Sequence, residues 1–189
     1  IPQVSEDKFE SLRKVQLANF TPLPLPEAIS SDVIGIVNAV RRNIGVNKFL
    51  FEGMPGTGKT ETVKQVSRLL QRDLYIVDFE TIIDSKLGQT AKNIANLFKE
   101  INSFTYPERT LILFDEIDAI ALNRLDSNDL REMGRATTSI LKGMDSLQDG
   151  VVLIATTNLF NAFDKALVRR FDAVIDFNRY SQQDLLEIA

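Results

Sequence analysis

A chain of 189 residues, 44% of them hydrophobic, is long enough to bury the core of one α/β domain with a short appendage. It contains neither cysteine nor histidine, which excludes disulfides, thiolate metal sites and the commonest general base, so chemistry must rest on carboxylates, Lys, Arg, hydroxyls or a bound cation. The net charge of −4 argues against a generally basic nucleic-acid binder.

In chain order, residues 1–10 lack the basic-then-apolar form of a signal peptide, and no apolar run reaches the roughly 18 residues of a membrane span, so the cytoplasm is the default location. The chain starts at Ile1 without Met and stops inside a polar, helix-like run, 181–189, and so reads as a fragment of a longer protein. Phe9, Leu12 and Val15, at three-residue spacing, predict an amphipathic helix over 5–20. Pro22, Pro24 and Pro26 follow as a stiff, extended linker, which sets residues 1–29 apart from a main domain over 30–178.

Strand-like and helix-like runs then alternate. KFLFE (48–52) precedes a helix with Val63, Val66, Leu69 and Leu70 inward; LYIVDF (74–79) precedes a helix with Ile94, Leu97, Phe98 and Ile101 on one face. TLILFD (110–115) is continuously apolar, as a strand buried on both faces must be. A helix with Ile140, Leu141, Met144 and Leu147 leads to VVLIATTN (151–158), and a short helical segment around Ala166 leads to AVIDF (173–177). Such alternation implies right-handed βαβ units and a parallel sheet of about five strands.

Two motifs carry chemistry. GMPGTGKT (53–60) fits G-x-x-x-x-G-K-[ST] and lies directly after a strand, opening a helix. Gly53, Gly56 and Gly58 let successive N–H groups face inward as an anion nest, and the helix N-terminus adds its positive end. Phosphate is the natural occupant, held by Gly53, Met54, Pro55, Gly56, Thr57, Gly58, Lys59, Thr60 and Glu61. Lys59 would reach the β- and γ-phosphates, and the Thr60 hydroxyl would ligate Mg²⁺. The second motif, LILFDEID, puts Asp115 and Glu116 at the C-terminal end of a buried strand, the edge where open parallel sheets bind ligands. Asp115 would hold Mg²⁺ through its water shell, and Glu116 would polarise a water toward the γ-phosphate. A solvated loop suits Asp118 better than the first two acids, and its role stays open.

These motifs, with ATTN (155–158) and FDKALVRRFD (163–172), resemble the AAA family of ATPases within the AAA+ class, over roughly residues 30–178. The resemblance implies a three-layer P-loop NTPase with helices on both faces of the sheet, a helical lid subdomain beginning at 179–189, ATP and Mg²⁺ as cofactors, and a homo-oligomeric ring, usually a hexamer. Asn158 matches the sensor-1 position, where an amide contacts the attacking water or the γ-phosphate without adding charge. Arg169 and Arg170 match the second region of homology, whose arginines reach the ATP of a neighbouring subunit. The usual Pro-Gly between them is missing, so both remain candidates, with Arg170, directly before Phe-Asp, slightly favoured. Glu132 and Arg135 fit an acid-x-x-Arg pair that serves as a surface ion pair or an intersubunit contact equally well. Val33, Ile34 and Gly35 resemble a segment that lines the adenine pocket, though their helix-like spacing also fits core packing.

Lys86, Leu87 and Gly88 align with the family's substrate-gripping pore loop, whose centre is usually aromatic-apolar-Gly; here Lys86 stands for the aromatic, or one residue is deleted and Leu87 grips. The implied function is Mg²⁺-dependent ATP hydrolysis that remodels or unfolds polypeptide through a central pore, with an effector or protease module elsewhere in the full chain. A nucleotide-gated assembly switch or scaffold is the alternative, and a nucleic-acid motor the third reading.

Overall fold

The computed structural model describes residues 9–17, 25–83, 88–122, 130–162 and 164–179. Five parallel strands form the sheet: β2 (Lys48–Glu52), β3 (Asp73–Asp78), β4 (Thr110–Asp115), β5 (Val152–Thr157) and β6 (Ala173–Asp176). A two-residue strand, β1 (Arg13–Lys14), pairs antiparallel with β3 and brings the sheet to six strands in the order β1-β3-β4-β5-β2-β6.

Side chains alternate across this sheet as the strand period of two requires. Leu111 and Leu113 of β4 join Phe49, Phe51, Val152 and Ile154 in a core under α1 (Glu27–Arg41) and α2 (Lys59–Leu69). Ile112 and Phe114 join Leu50, Val77, Leu153 and Ala155 on the other face. That face is covered by α3 (Phe79–Ile82), α4 (Gln89–Ile101), α5 (Ala119–Leu122), α6 (Leu130–Asp145) and α7 (Lys165–Val168). The result is the expected three-layer arrangement. Ile94, Leu97, Phe98 and Ile101 are all buried, as are Ile140 and Met144, with Leu141 and Leu147 partly buried against them.

Two expectations fail. Residues 9–17 are extended rather than helical. Leu12 enters one core while Val15 packs against the other; an odd separation of three puts two residues on opposite faces of an extended chain, whereas a helix would align them. The open edge of β3 supplies what a helix would have supplied internally: Val15 N–H bonds to Leu74 O at 2.8 Å. The Glu100 carboxylate accepts from the N–H groups of Glu10 and Ser11 at 2.8 and 3.1 Å. Phe9 then lands on Tyr75 and Phe104, with ring centroids 6.0 and 5.1 Å apart. Leu69, in turn, is 49% exposed; Val63 and Val66 fill the inner stripe of α2, and Leu70 takes the remaining inward position at its C-cap.

α4 and α6 pack closely because α6 carries Gly143 against the ring of Phe98, where an added Cβ would overlap Cγ, Cδ2 and Cε2. Gly143→Ala therefore sets a helix-propensity gain of about 1 kcal/mol against an overpacking cost of about 1–3 kcal/mol. The expected result is a lower denaturant midpoint, partly restored when Phe98→Leu is added.

Candidate functional site

Parallel strands in this order bring three chain segments to one sheet edge. β5 lies between β2 and β4, with Phe51 opposite Thr156, Glu52 opposite Thr157 and Phe114 opposite Ala155. The loop after β2, the acids after β4 and the Thr-Thr-Asn end of β5 are therefore neighbours, although Lys59 and Asp115 are 56 positions apart.

The loop is built by close approach. Gly53 N–H continues the β2–β5 ladder to Thr157 O at 3.1 Å, and a Cβ on Gly53 would come within 2.8 Å of Phe177 Cβ, so only glycine fits. Met54 N–H donates to Asn178 Oδ1 at 2.8 Å, and Thr57 Oγ1 donates to Met54 O at 2.8 Å. Gly58, at φ 88, is the left-handed residue from which α2 starts. Pro55, Gly56, Thr60 and Glu61 line the cavity above the loop, about 240 Å³, together with Asp115, Glu116 and Asn158. Glu61 also pairs with Lys64 one turn on, at 3.2 Å.

Lys59 is only 8% exposed. Its ammonium donates to Gly53 O, to Met54 O at 2.9 Å, to Asn158 Oδ1 at 2.9 Å and to Thr57 Oγ1 at 3.4 Å. Burial holds its pKa below the usual lysine value, and Asp118, Asp115 and Glu116 oppose that shift without cancelling it. Sensor candidate and loop lysine thus touch within one chain.

Asp115 ends β4, and its Oδ1 accepts from Thr156 Oγ1 at 2.8 Å. Glu116 follows at φ 50, a left-handed conformation that costs a non-glycine residue about 1–3 kcal/mol. Partial burial raises its carboxyl pKa, helped by Asp115, Asp118, Glu80 and Asp78. Asp118, undecided on sequence, is not solvated. It is 4% exposed, with Oδ1 facing Asn158 N–H at 3.4 Å, because the chain turns back under β5 after Glu116. Thr156 escaped the sequence reading; a buried hydroxyl in an otherwise apolar strand was the available signal.

A dication fits this donor set. Among the described residues no three acidic side chains form a ready-made metal cage, and Mg²⁺ characteristically uses one or two carboxylates, waters and substrate phosphates instead. Thr60 and Asp115 face one cavity with the anion-binding loop.

The remaining candidates lie elsewhere. Arg170 is bound to Asp145 at the end of α6, with Nε to Oδ1 at 3.0 Å and an Nη to Oδ2 at 3.4 Å. Arg169 is exposed at the C-cap of α7 and makes no ion pair among the described residues. Neither arginine lines the loop cavity. Gly88 is the left-handed N-cap of α4, while Lys86 and Leu87 lie outside the described residues. The segment is helical, within α1; Val33 is buried in the core as core packing expects, whereas Ile34 is 59% exposed. Arg135 is exposed on α6, which also contains Glu132.

A doubly wound parallel sheet with a glycine-rich loop opening a helix and an acid pair on the next strand but one in space defines a P-loop nucleotide-binding domain. Residues 49–179 match the model of the ATPase family associated with various cellular activities (AAA). The chain is 39% identical over 133 residues, 70% of its length, to the uncharacterized AAA family ATPase y4kL of Sinorhizobium fredii, covering 39% of that protein. It is 32% identical over 185 residues, 95% of its length, to the proteasome-activating nucleotidase of Methanoregula boonei, covering 40% of it. A chain of the E. coli MS115-1 HORMA:CdnC:Trip13 complex shares the fold, with a TM-score of 0.69 at 19% identity over 94% of this chain and 73% of that one. The chain belongs to the AAA family and carries its ATPase domain, spanning about two fifths of the length of these curated relatives. Among the described residues no helix is long and apolar enough to cross a membrane.

The raised pKa of Glu116 predicts a pH-dependent stability. Folded Glu116 holds its proton above the ordinary value of 4.5, so ionising it disfavours the fold, and the penalty is complete above the raised folded value and absent below 4.5. Glu116→Gln is expected to melt at a higher temperature than wild type near neutral pH. The difference should close as pH falls through that window, as thermal melts across the range would read out.

Proposed function

We propose that the protein carrying this chain is a Mg²⁺-dependent ATPase that works as a homo-oligomeric ring, a hexamer, and uses hydrolysis to remodel or unfold polypeptide substrates through its pore. The observation that carries this is the buried Lys59 ammonium, 2.9 Å from Asn158 Oδ1, over a loop whose cavity also meets Asp115 and Glu116. Residues 30–178 act as the large α/β subdomain, with 9–17 built into its sheet edge and α1 starting at Glu27 rather than 1–29 standing apart, and 179–189 begin the helical lid. The cytoplasm is the expected location.

In this reading the N–H groups of residues 53–60 hold the phosphates, and Lys59 exchanges its carbonyl partners for phosphate oxygens. Thr60 and Asp115 hold Mg²⁺, which when bound neutralises charge on the phosphate oxygens. Glu116 polarises the attacking water, its raised pKa favouring proton acceptance, and Asn158 orients that water and senses the terminal phosphate. Arg169 or Arg170 completes the site of the next subunit with a planar cation. Since Asp145 binds Arg170 in the same chain, exposed Arg169 is the better placed of the two. Lys86, Leu87 and Gly88 contact the substrate. Relatives named proteasome-activating nucleotidases support a protein substrate, and an effector or protease module on the rest of the protein would use the product. The replaced aromatic at Lys86 favours one other reading, a nucleotide-gated switch that assembles without translocating.

The test is the full-length protein. ATP hydrolysis per subunit should rise with protein concentration as rings form, and Lys59→Ala should weaken nucleotide binding. Arg169→Ala should cut kcat by about 10³-fold or more, as loss of an arginine finger does, with ATP binding kept and Arg170→Ala milder. Full activity in a strictly monomeric protein defeats the ring, and the reverse arginine ranking reassigns the trans group. Lys86→Ala with Leu87→Ala should abolish substrate unfolding while sparing hydrolysis; unaffected substrate handling favours the switch.

A further inference from the structure

One buried hydroxyl links the two acids at the end of β4, and no role proposed above uses it. Thr156 of β5 is 1% exposed. Its Oγ1 donates to Asp115 Oδ1 at 2.8 Å and accepts from Glu116 N–H at 2.9 Å. The directions are fixed by chemistry: an amide N–H can only donate and an ionised carboxylate can only accept, so the single hydroxyl proton goes to Asp115. The carbonyl of the same residue accepts from Ile117 N–H at 3.0 Å. Three successive residues, 115, 116 and 117, are thus held by one residue of the neighbouring strand.

This happens where regular pairing stops. The β4–β5 ladder runs to Phe114 opposite Ala155, and Glu116 then leaves strand geometry at φ 50. Its N–H meets a side-chain oxygen in place of a backbone carbonyl. A left-handed non-glycine residue persists only where its surroundings over-determine it, and here the bonds from Thr156 to the amides on either side of the Glu116 turn do so.

We propose that Thr156 is a positioning residue for the acid pair. Its hydroxyl fixes the Asp115 carboxylate by Oδ1, leaving the second oxygen to the cation, and by the same atom pins the turn that aims Glu116. Cation site and water-polarising carboxylate are thereby set in one geometry by one residue of the neighbouring strand. This rests on the reading of the protein as a Mg²⁺-dependent ATPase.

The test compares wild type, Thr156→Ser and Thr156→Val in the full-length protein. Affinity for Mn²⁺, used as the paramagnetic probe with a non-hydrolysable ATP analogue bound, is read by electron paramagnetic resonance. Affinity for the analogue without divalent cation, kcat, KM and thermal melting are measured alongside. Thr156→Val should weaken Mn²⁺ binding and lower kcat, each by about 10- to 100-fold, as loss of an outer-shell partner does. Cation-free analogue affinity should hold, and Thr156→Ser should stay close to wild type in every readout. Should Thr156→Val fail to fold, Thr156→Ala carries the same expectation. Wild-type Mn²⁺ affinity and kcat in the hydroxyl-free variant overturn the proposal, as does an equal loss of cation-free binding, which marks a merely structural role. A wild-type protein that neither binds Mn²⁺ with the analogue nor hydrolyses ATP overturns instead the ATPase reading beneath it.

Discussion

The strand ends form a site only because β5 is inserted between β2 and β4. Without it the phosphate loop and the acids would be separated by an open edge, since neither motif bonds directly to the other's strand. The last residues of β5 act in both directions. Thr157 O receives Gly53 N–H and Asn158 Oδ1 receives the Lys59 ammonium on one side; Thr156 holds Asp115 and Glu116 on the other. Thr156 and Thr157 are buried polar residues among Val152, Leu153, Ile154 and Ala155, a placement that is costly unless every polar atom is paired. Here each hydroxyl has a partner, Thr157 Oγ1 accepting from Leu159 N–H at 3.1 Å.

The site's charges are held in a tension that a ligand can release. Burial disfavours the Lys59 ammonium, and burial with neighbouring acids disfavours the Glu116 carboxylate. A triphosphate beside Lys59 and a dication beside the acids would each reverse the unfavourable term. Yet among the described residues no buried side-chain polar atom lacks a partner, because Lys59 rests on the loop's own carbonyls. Ligand binding is then an exchange of hydrogen bonds, in which Lys59 must leave partners as good as those water would offer. Net affinity in such an exchange comes from charge and from the loop's N–H groups more than from the lysine alone.

Most of the fold was legible because its strands are buried on both faces. β2 and β4 fall on the expected residues, 48–52 and 110–115, since a continuous apolar run bounded by charged residues leaves little freedom. The amphipathic helix α4 was equally plain, all four of its expected core residues being buried. What failed depended on partners distant in sequence. Residues 9–17 show an apolar spacing of three that a helix satisfies locally, but the open edge of β3 and the Glu100 carboxylate, some 60 to 90 positions away, settle the matter. Asp118 stayed open because nothing local says that the chain after Glu116 folds under β5. Thr156 stood out only as a hydroxyl at the end of an apolar run; what it binds was hidden for the same reason, its two partners lying about 40 positions upstream. Loop and acids were readable in kind because their chemistry is contiguous in sequence; their coupling was not, because it runs through a third strand.

The adjacent arginines show how a missing turn changes a site. Where Pro-Gly separates two arginines, each can be aimed independently. In this chain Arg169 and Arg170 are consecutive at the helical end of α7, where successive side chains diverge by about 100° around the axis. Both cannot serve one target. Asp145, at the C-terminal end of α6, takes the guanidinium of Arg170 in a two-point pair, and that contact ties the α7 turn to the helix packed beside it. With Arg170 turned along the surface toward Asp145, Arg169 is the more exposed member of the pair. Arg170 is thus engaged within its own chain, and Arg169 is the member of the pair left exposed and without an ion pair among the described residues.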